Sequence, residues 1–293
     1  MRRVLGVIGG SGIYEVPGLE GVGQIRVDTP FGAPSDSITR GTLGETTLLF
    51  LPRHGRGHRI APHQINYRAN ICALKKLGAE QVVSLSAVGS MKEDIEPGQV
   101  VIVDQFIDLT KRRISTFFDN DIVAHVGFAV PVCPALSRAL GEAARRAGAH
   151  VHDVGTYLCM EGPQFSTRAE SFLYRGWGVA VIGMTAMPEA KLAREAELPY
   201  AVMALATDYD CWHETEQDVS VEAVLDVVRR NSALAKRTVA ELALHLPDPA
   251  ASAASNSLTG AIMTAPDALS ETALSRLGWL IARHLDPCRG KPL

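Results

Sequence analysis

No charge of one sign dominates this chain. Its 29 Lys and Arg stand against 32 Asp and Glu, a formal net charge of −3 over 293 residues. With a pI near 6.3, nothing draws it to a polyanion, so nucleic acid is not an expected partner. The short basic clusters Lys111-Arg112-Arg113 and Arg145-Arg146 read as solvated faces. Cysteine is sparse: Cys72, Cys133, Cys159, Cys211 and Cys288 are odd in number and never spaced as CxxC. Neither a disulfide framework nor a zinc ribbon follows from that, and reduced thiols fit best. Long apolar runs are missing as well, since none approaches the ~20 residues that span a bilayer. The stretch Val4 to Ile8 behind Arg2-Arg3 is too short and glycine-rich for a secretory core, and no small-residue cleavage site follows it. The expectation is a cytoplasmic protein with no membrane contact.

What the chain has is a series of short β-branched apolar runs, at Val4–Ile8, Thr46–Leu51, Gln81–Leu85, Gln99–Val103, Val179–Ile182 and Tyr200–Leu205. Unbroken runs of this kind predict strands covered on both faces. Helical spacing appears in Ile65–Leu77 and Pro134–Ala147, which stop at Gly78 and Gly148 as helices do at a glycine cap. Pro188–Ala196 and the long amphipathic Val221–Leu246 are further helices. Alternating strand and helix predicts an α/β fold, a mixed and largely parallel twisted sheet flanked by helices. There is no internal repeat. Residues 1–246 are expected to form the main domain. Pro247 to Ala265, rich in Ala, Ser and Pro, reads as a flexible connector. Residues 266–293 read as an appendage whose helix, Ala268 to His284, packs back on the same domain.

Four predicted strands end alike. Val4–Ile8 runs into Gly9-Gly10-Ser11-Gly12, and Thr46–Leu51 into Pro52-Arg53-His54-Gly55. Gln81–Leu85 runs into Ser86-Ala87-Val88-Gly89-Ser90, and Val179–Ile182 into Gly183-Met184-Thr185. Ligands of open α/β sheets bind just beyond the carboxyl ends of the strands. Backbone amides beside glycines, hydroxyls and a forked guanidinium suit a tetrahedral oxyanion. Each element alone also fits a plain turn, or a helix cap for Ser86 and Thr185; convergence of the four favours an anion site. The glycines lack the full GxGxxG pattern of a dinucleotide fold. A fifth strand, Tyr200–Leu205, leads into Asp208 and Asp210, whose spacing puts both carboxylates on one side of an extended segment. An Asp-rich turn, or a calcium loop short of oxygen ligands, are the bland readings. Recognition of a base edge with proton donation to a leaving group is the sharp one.

Met160-Glu161-Gly162-Pro163-Gln164-Phe165-Ser166-Thr167-Arg168-Ala169-Glu170-Ser171 resembles the signature of the trimeric purine nucleoside phosphorylases. Together with Gly183-Met184-Thr185-Ala186-Met187-Pro188-Glu189 and Thr207-Asp208-Tyr209-Asp210-Cys211-Trp212, it resembles the methylthioadenosine phosphorylase branch of that family. Asp28-Thr29-Pro30-Phe31-Gly32 and Pro52-Arg53-His54-Gly55 match too, so the resemblance covers residues 4 to 245. It implies phosphate binding by Ser11, Arg53, His54, Ser86, Ala87 and Thr185. It implies a nucleoside held by Phe165, Ser166, Met184, Asp208, Asp210 and Val221, with His125 reaching in from a neighbouring subunit of a homotrimer or dimer of trimers. His125 folded back on its own core is the alternative. The chain departs from the pattern where Ser11 and Ser86 replace common threonines, Val88 a frequent cysteine and Gly183 a frequent asparagine. The loop Asp119 to His125 looks shortened.

The implied reaction is phosphorolysis of methylthioadenosine to adenine and 5-methylthioribose 1-phosphate. Phosphate would take the place of water in an inverting glycoside cleavage. Asp208 would be the catalytic acid at purine N7, which requires a pKa raised by a partly desolvated pocket and the like charge of Asp210. No metal and no organic cofactor enter; inorganic phosphate is a co-substrate. A carboxylate accepts from the 6-amino group of adenine and repels a 6-oxo group, and the 6-oxopurine branch typically carries Asn at the Asp208 position. An apolar Val221 would leave a 5′-hydroxyl unpaired, at ~1–3 kcal/mol. The alternatives are a methylthioinosine or general purine nucleoside phosphorylase, a non-catalytic nucleotide-binding module, and a dinucleotide oxidoreductase.

Overall fold

The computed structural model describes residues 3–10, 16–119, 122–213, 221–286 and 291–292. The side chains of residues 221–230 lie outside that description. In chain order the elements are β1 (Arg3–Gly9), β2 (Glu20–Ile25), β3 (Ile38–Leu43), β4 (Thr46–Pro52), α1 (Tyr67–Lys76), β5 (Gln81–Ser90), β6 (Val100–Ile102), β7 (Gln105–Asp108), α2 (Pro134–Arg146), β8 (Val151–His152) and β9 (Thr156–Cys159). They continue with α3 (Arg168–Gly176), β10 (Val181–Gly183), α4 (Ala186–Glu195), β11 (Tyr200–Asp208), α5 (Val221–Leu244) and α6 (Glu271–Ile281). A short ribbon of β12 (Leu285–Asp286) and β13 (Lys291–Pro292) closes the chain.

One mixed sheet runs β2-β3-β4-β1-β5-β10-β9-β7, with β11, β6 and β8 branching from β5. The pairs β1–β4, β1–β5, β5–β11, β9–β10, β7–β9 and β6–β8 are parallel. Helices cover both faces, as the continuous apolar runs require. The core on one face holds Ile71 and Leu74 of α1, Ala190 and Leu192 of α4, and Leu277 and Ile281 of α6. The other holds Leu136 and Leu140 of α2 with Val239 and Leu242 of α5. Both α1 and α2 stop as expected, before Gly78 at φ +87° and Gly148 at φ +94°, a conformation that excludes most side chains.

The run Gln81–Leu85 continues as strand to Ser90, so Ser86 to Ser90 lie within β5 rather than in a loop after it. On one edge β5 pairs with β1 over Gln81–Ser84 and then, antiparallel, with β10 at Gly89 and Ser90. On the other edge it pairs with β11 from Val82 to Gly89. The sheet therefore forks along β5, and Leu85 to Val88 lie in the fork.

Residues 247–265, expected as a connector, form two short 3-10 turns, Pro249–Ala251 and Ala253–Asn256. They lie against the body. Ser257 Oγ donates to Arg194 O at 2.5 Å, the Leu258 amide donates to Glu197 Oε1 at 3.1 Å, and Leu258 is 1% exposed. The loop of His125 pairs with the same segment: Ala124 bridges Ile262, and the His125 amide donates to Ala261 O at 2.9 Å. Truncating a buried leucine costs its transfer energy plus a cavity. Leu258→Ala is expected to lower unfolding free energy by about 3 kcal/mol. Urea unfolding measures it, and a loss below about 1 kcal/mol would mean that the segment does not hold to the body.

Candidate functional site

Arg53 follows β4 and turns back under the sheet, 2% exposed. Its Nε donates to Glu189 Oε2 at 2.9 Å, and its Nη2 donates to Glu189 Oε1 at 3.2 Å and Ser84 Oγ at 2.6 Å. Nη2 also reaches Ile8 O at 3.4 Å, and Nη1 donates to Leu85 O at 3.2 Å. Burial alone would lower its pKa, but the Glu189 carboxylate outweighs that and fixes the charge. A guanidinium carries five N–H donors, so at most one remains for an incoming anion. Arg53 ties the ends of β1 and β4 and the middle of β5 to α4. His54 beside it has Nδ1 at 2.9 Å from Ile60 O and stacks on His58 at 4.2 Å. Burial, with the Arg53 charge, pulls its pKa down to about 4, so it is neutral at pH 7.

In the fork, Ser86 Oγ lies 3.5 Å from Thr185 Oγ1 and 3.2 Å from the hydroxyl of Tyr157, which also accepts from the Thr185 amide at 3.4 Å. Ala87, the next residue of β5, is exposed. Tyr157 is fully buried, and burial pushes its pKa up to about 12. Sequence reasoning missed it, because nothing local marks a buried tyrosine whose hydroxyl faces two others. The signal lies at a distance, in Gly183, where a Cβ would fall 2.0 Å from the Tyr157 hydroxyl.

Asp208 ends β11 and Asp210 follows in the left-handed region at φ +53°. The extended segment expected to aim both carboxylates one way does not exist. Instead the Asp210 amide donates to Asp208 Oδ1 at 2.8 Å, and Thr207 Oγ1 lies 2.6 Å from Asp208 Oδ2. Asp210 Oδ2 accepts from Ser171 Oγ at 2.6 Å. Burial raises the Asp208 pKa, against the Thr207 hydroxyl and the Asp210 amide. Burial raises Asp210 too, opposed by Ser171 and aided by the Asp208 charge. The expected direction of shift at Asp208 is present, with burial as its cause. Gly89 lies opposite Asp208, and a Cβ there would stand 3.0 Å from Oδ1.

The loop after β9 carries Phe165, 47% exposed, and Ser166, whose carbonyl accepts from Cys211 Sγ at 3.4 Å. Met184 is half-buried and packs on Gly162. One cation joins these pieces. Arg113, expected on a solvated face, has a side chain 1% exposed and pairs with Glu161 at 2.9 Å. Its Nη1 donates to Met184 O and Met187 O, each at 2.6 Å, and to the Tyr67 hydroxyl at 3.0 Å. Its Nη2 donates to Glu161 O at 2.6 Å and Met160 O at 3.3 Å. A window of charged neighbours reports local polarity, not the carbonyls that two distant loops leave unpaired, so nothing local marks Arg113 as buried.

Ser11 and the side chain of Val221 lie outside the described residues. His125 is exposed, on the loop tied to residues 261–264. Among the described residues no group of three His, Cys, Asp or Glu is placed to hold a metal ion, and no helix is long and apolar enough to cross a membrane.

The chain matches the phosphorylase superfamily over residues 4–243. It is 54% identical to the S-methyl-5′-thioadenosine phosphorylase of Geobacter sulfurreducens, over 97% of this chain and 100% of that protein. It is 48% identical to that of Koribacter versatilis, over 97% of each. Among solved structures, a methylthioadenosine phosphorylase from an antarctic soil metagenomic library superposes with a TM-score of 0.89 at 45% identity, covering 96% of this chain and 99% of the other. The methylthioadenosine phosphorylase of Schistosoma mansoni in complex with adenine superposes with a TM-score of 0.80 at 33% identity, covering 96% and 98%. Identity of this extent, over nearly the whole of each chain, makes this protein a member of the phosphorylase superfamily.

Proposed function

We propose that this chain splits S-methyl-5′-thioadenosine with inorganic phosphate, giving adenine and 5-methylthioribose 1-phosphate. The observation that carries the reading is the run along β5. Ser86 and Ala87 lie in the fork beside Thr185, and three residues on from Ser86, Gly89 faces the half-buried Asp208. Three residues of strand are about 10 Å, the span of a phosphate, a ribose and the edge of a base. The naming of relatives up to 54% identical supports the substrate.

In this reading Ser11, His54, Ser86, Ala87 and Thr185 hold phosphate, and Arg53 contributes its one spare donor while holding the strand ends in place. Phosphate attacks C1′ as the ribosyl group becomes oxocarbenium-like, and the bonding pair of the glycosidic bond passes to the purine. Asp208, with its raised pKa, gives its proton to N7 of the departing base. Asp210 and Ser166 read the base edge, Phe165 lies against the purine, Met184 against the ribose, and Val221 against the methylthio group. The chemistry asks for no organic cofactor. The site is completed in a homotrimer or a dimer of trimers, where the exposed His125 reaches the ligand of the next copy.

Four outcomes test this. Asp208→Asn is expected to lower kcat on methylthioadenosine by about a hundredfold or more, the scale of a lost general acid, and to raise relative activity on inosine compounds, because an amide donates to a 6-oxo group. Near wild-type turnover with no such gain would remove Asp208 from the base site. Ser86→Ala is expected to raise the phosphate KM about tenfold, the loss of one hydrogen bond to a charged group, with the nucleoside KM within about twofold; equal changes in both would sink the phosphate assignment. Light scattering is expected to give three or six copies of the 31.4 kDa chain. Inactive Asp208 and His125 variants, co-assembled, should regain partial activity, whereas a ring with no rescue would discard the shared histidine.

A further inference from the structure

Thr207 sits at an irregularity of the sheet. Along β11 and β5, Ala206 pairs with Val88 and Asp208 pairs with Gly89, so Thr207 has no partner residue on the opposing strand. A bulge of this kind re-aims the side chain of the extra residue. Here it turns the Thr207 hydroxyl into the sheet edge, where the residue is 5% exposed. Two acceptors face the hydroxyl: Val88 O at 3.1 Å and Asp208 Oδ2 at 2.6 Å. Hydroxyls have one proton to give. One acceptor is a carbonyl of fixed character, and the other is a carboxyl whose charge changes.

We propose that Thr207 is a positioning residue whose hydroxyl changes acceptor with the protonation state of Asp208; this rests on the reading of Asp208 as proton donor. While Asp208 is protonated, the Thr207 proton goes to Val88 O and a hydroxyl lone pair faces the carboxyl group. When the Asp208 proton passes to N7 of the departing base, the O–H bond of Asp208 breaks and the N7–H bond forms. The carboxylate left behind is met by the Thr207 hydroxyl, which turns about its C–O bond and keeps its own proton throughout. The other oxygen, Oδ1, holds the Asp210 amide at 2.8 Å in either state. Asp208 is thus supplied with a partner before and after transfer with no movement of the backbone. A partly desolvated acid needs this, since a carboxylate without a donor is costly, whereas a fixed donor would favour the carboxylate and leave the acid ionised before the base is in place.

The groups packed around Asp208 leave this role to Thr207. From β5 and β10 come Val88, Gly89 and Ile182, none of which titrates. From the following turn come Asp210, bound to Ser171, and Cys211, with Glu170 beyond. None of these can both give and accept at Oδ2.

The test is the pH dependence of adenine binding without phosphate, measured on wild type, Asp208→Asn, Thr207→Val and Thr207→Ser. Valine keeps the β-branched shape that suits a strand, and thermal melts check that both threonine variants are folded. The component of the pH dependence that Asp208→Asn abolishes is expected to move up by about one unit in Thr207→Val, as the carboxylate loses its donor. In Thr207→Ser it is expected to return to within about 0.3 unit of wild type. An unmoved component in Thr207→Val, or a serine variant displaced as far as the valine one, overturns the proposal and leaves the reading of Asp208 standing. A pH dependence untouched by Asp208→Asn removes Asp208 from the base site, and the role of Thr207 with it.

Discussion

A strand of ten residues that serves three partners governs this molecule. β5 lies between β1 and β11 for its first half and between β10 and β11 at its end. Each pairing is ordinary; the change of neighbour is not. Between Ser84 and Gly89 one edge of the strand has given up one partner and not yet met the next. Backbone in that position needs donors and acceptors from elsewhere. Arg53 Nη1 takes the carbonyl of Leu85, and Thr207 takes that of Val88. The fork is therefore lined with groups drawn from β4, β11 and α4. Candidate site residues gathered from distant parts of the chain are a consequence of the sheet dividing where it does.

Two buried guanidiniums hold that division open. Arg53 with Glu189 joins three strands to α4, and Arg113 with Glu161 joins the loop after β9 to the turn after β10. Desolvating such pairs offsets most of their attraction, so their worth is not in net stability. Removing one partner is a different matter, because the remaining charge is buried alone, at about 3–5 kcal/mol. The Glu189 carboxylate accepts from Tyr200 as well as Arg53, and Arg113 serves four backbone carbonyls. Each ion thus specifies one arrangement of several segments, and any other packing would leave a charge unsatisfied.

The sequence made the interior strands legible and the edges not. β1, β4, β11 and the start of β5 are apolar runs with both faces buried, and α1 and α2 carry helical spacing with a glycine stop. β2 and β3 lie at the sheet margin. Glu20–Ile25 is almost wholly exposed and Ile38–Leu43 carries Arg40 and Gly41, so neither shows an apolar run. β8 and β9 are too short to print a period. α3 did leave a mark, the capping box of Thr167 with Glu170; its exposed Phe172 and Leu173 hide the usual stripe. At the site, residue types were legible and their geometry was not. Asp208 and Asp210 were found as a pair, but on a period-two argument that the bulge at Thr207 and the left-handed Asp210 defeat.

That failure is informative about the two acids. Two carboxylates on one face of a regular strand would share one environment, and each would repel the other equally. The irregular backbone separates them. Asp210 bends back so that its amide meets Asp208, while its own carboxylate is held by Ser171 on α3. Asp208 stays on the strand, opposite the one β5 residue with no side chain to press on it. One acid is bound to a helix hydroxyl; the other faces a rotatable hydroxyl. Unequal surroundings for two neighbouring aspartates thus follow from where the chain leaves the β conformation, and a sequence pattern that assumes regular backbone cannot express it.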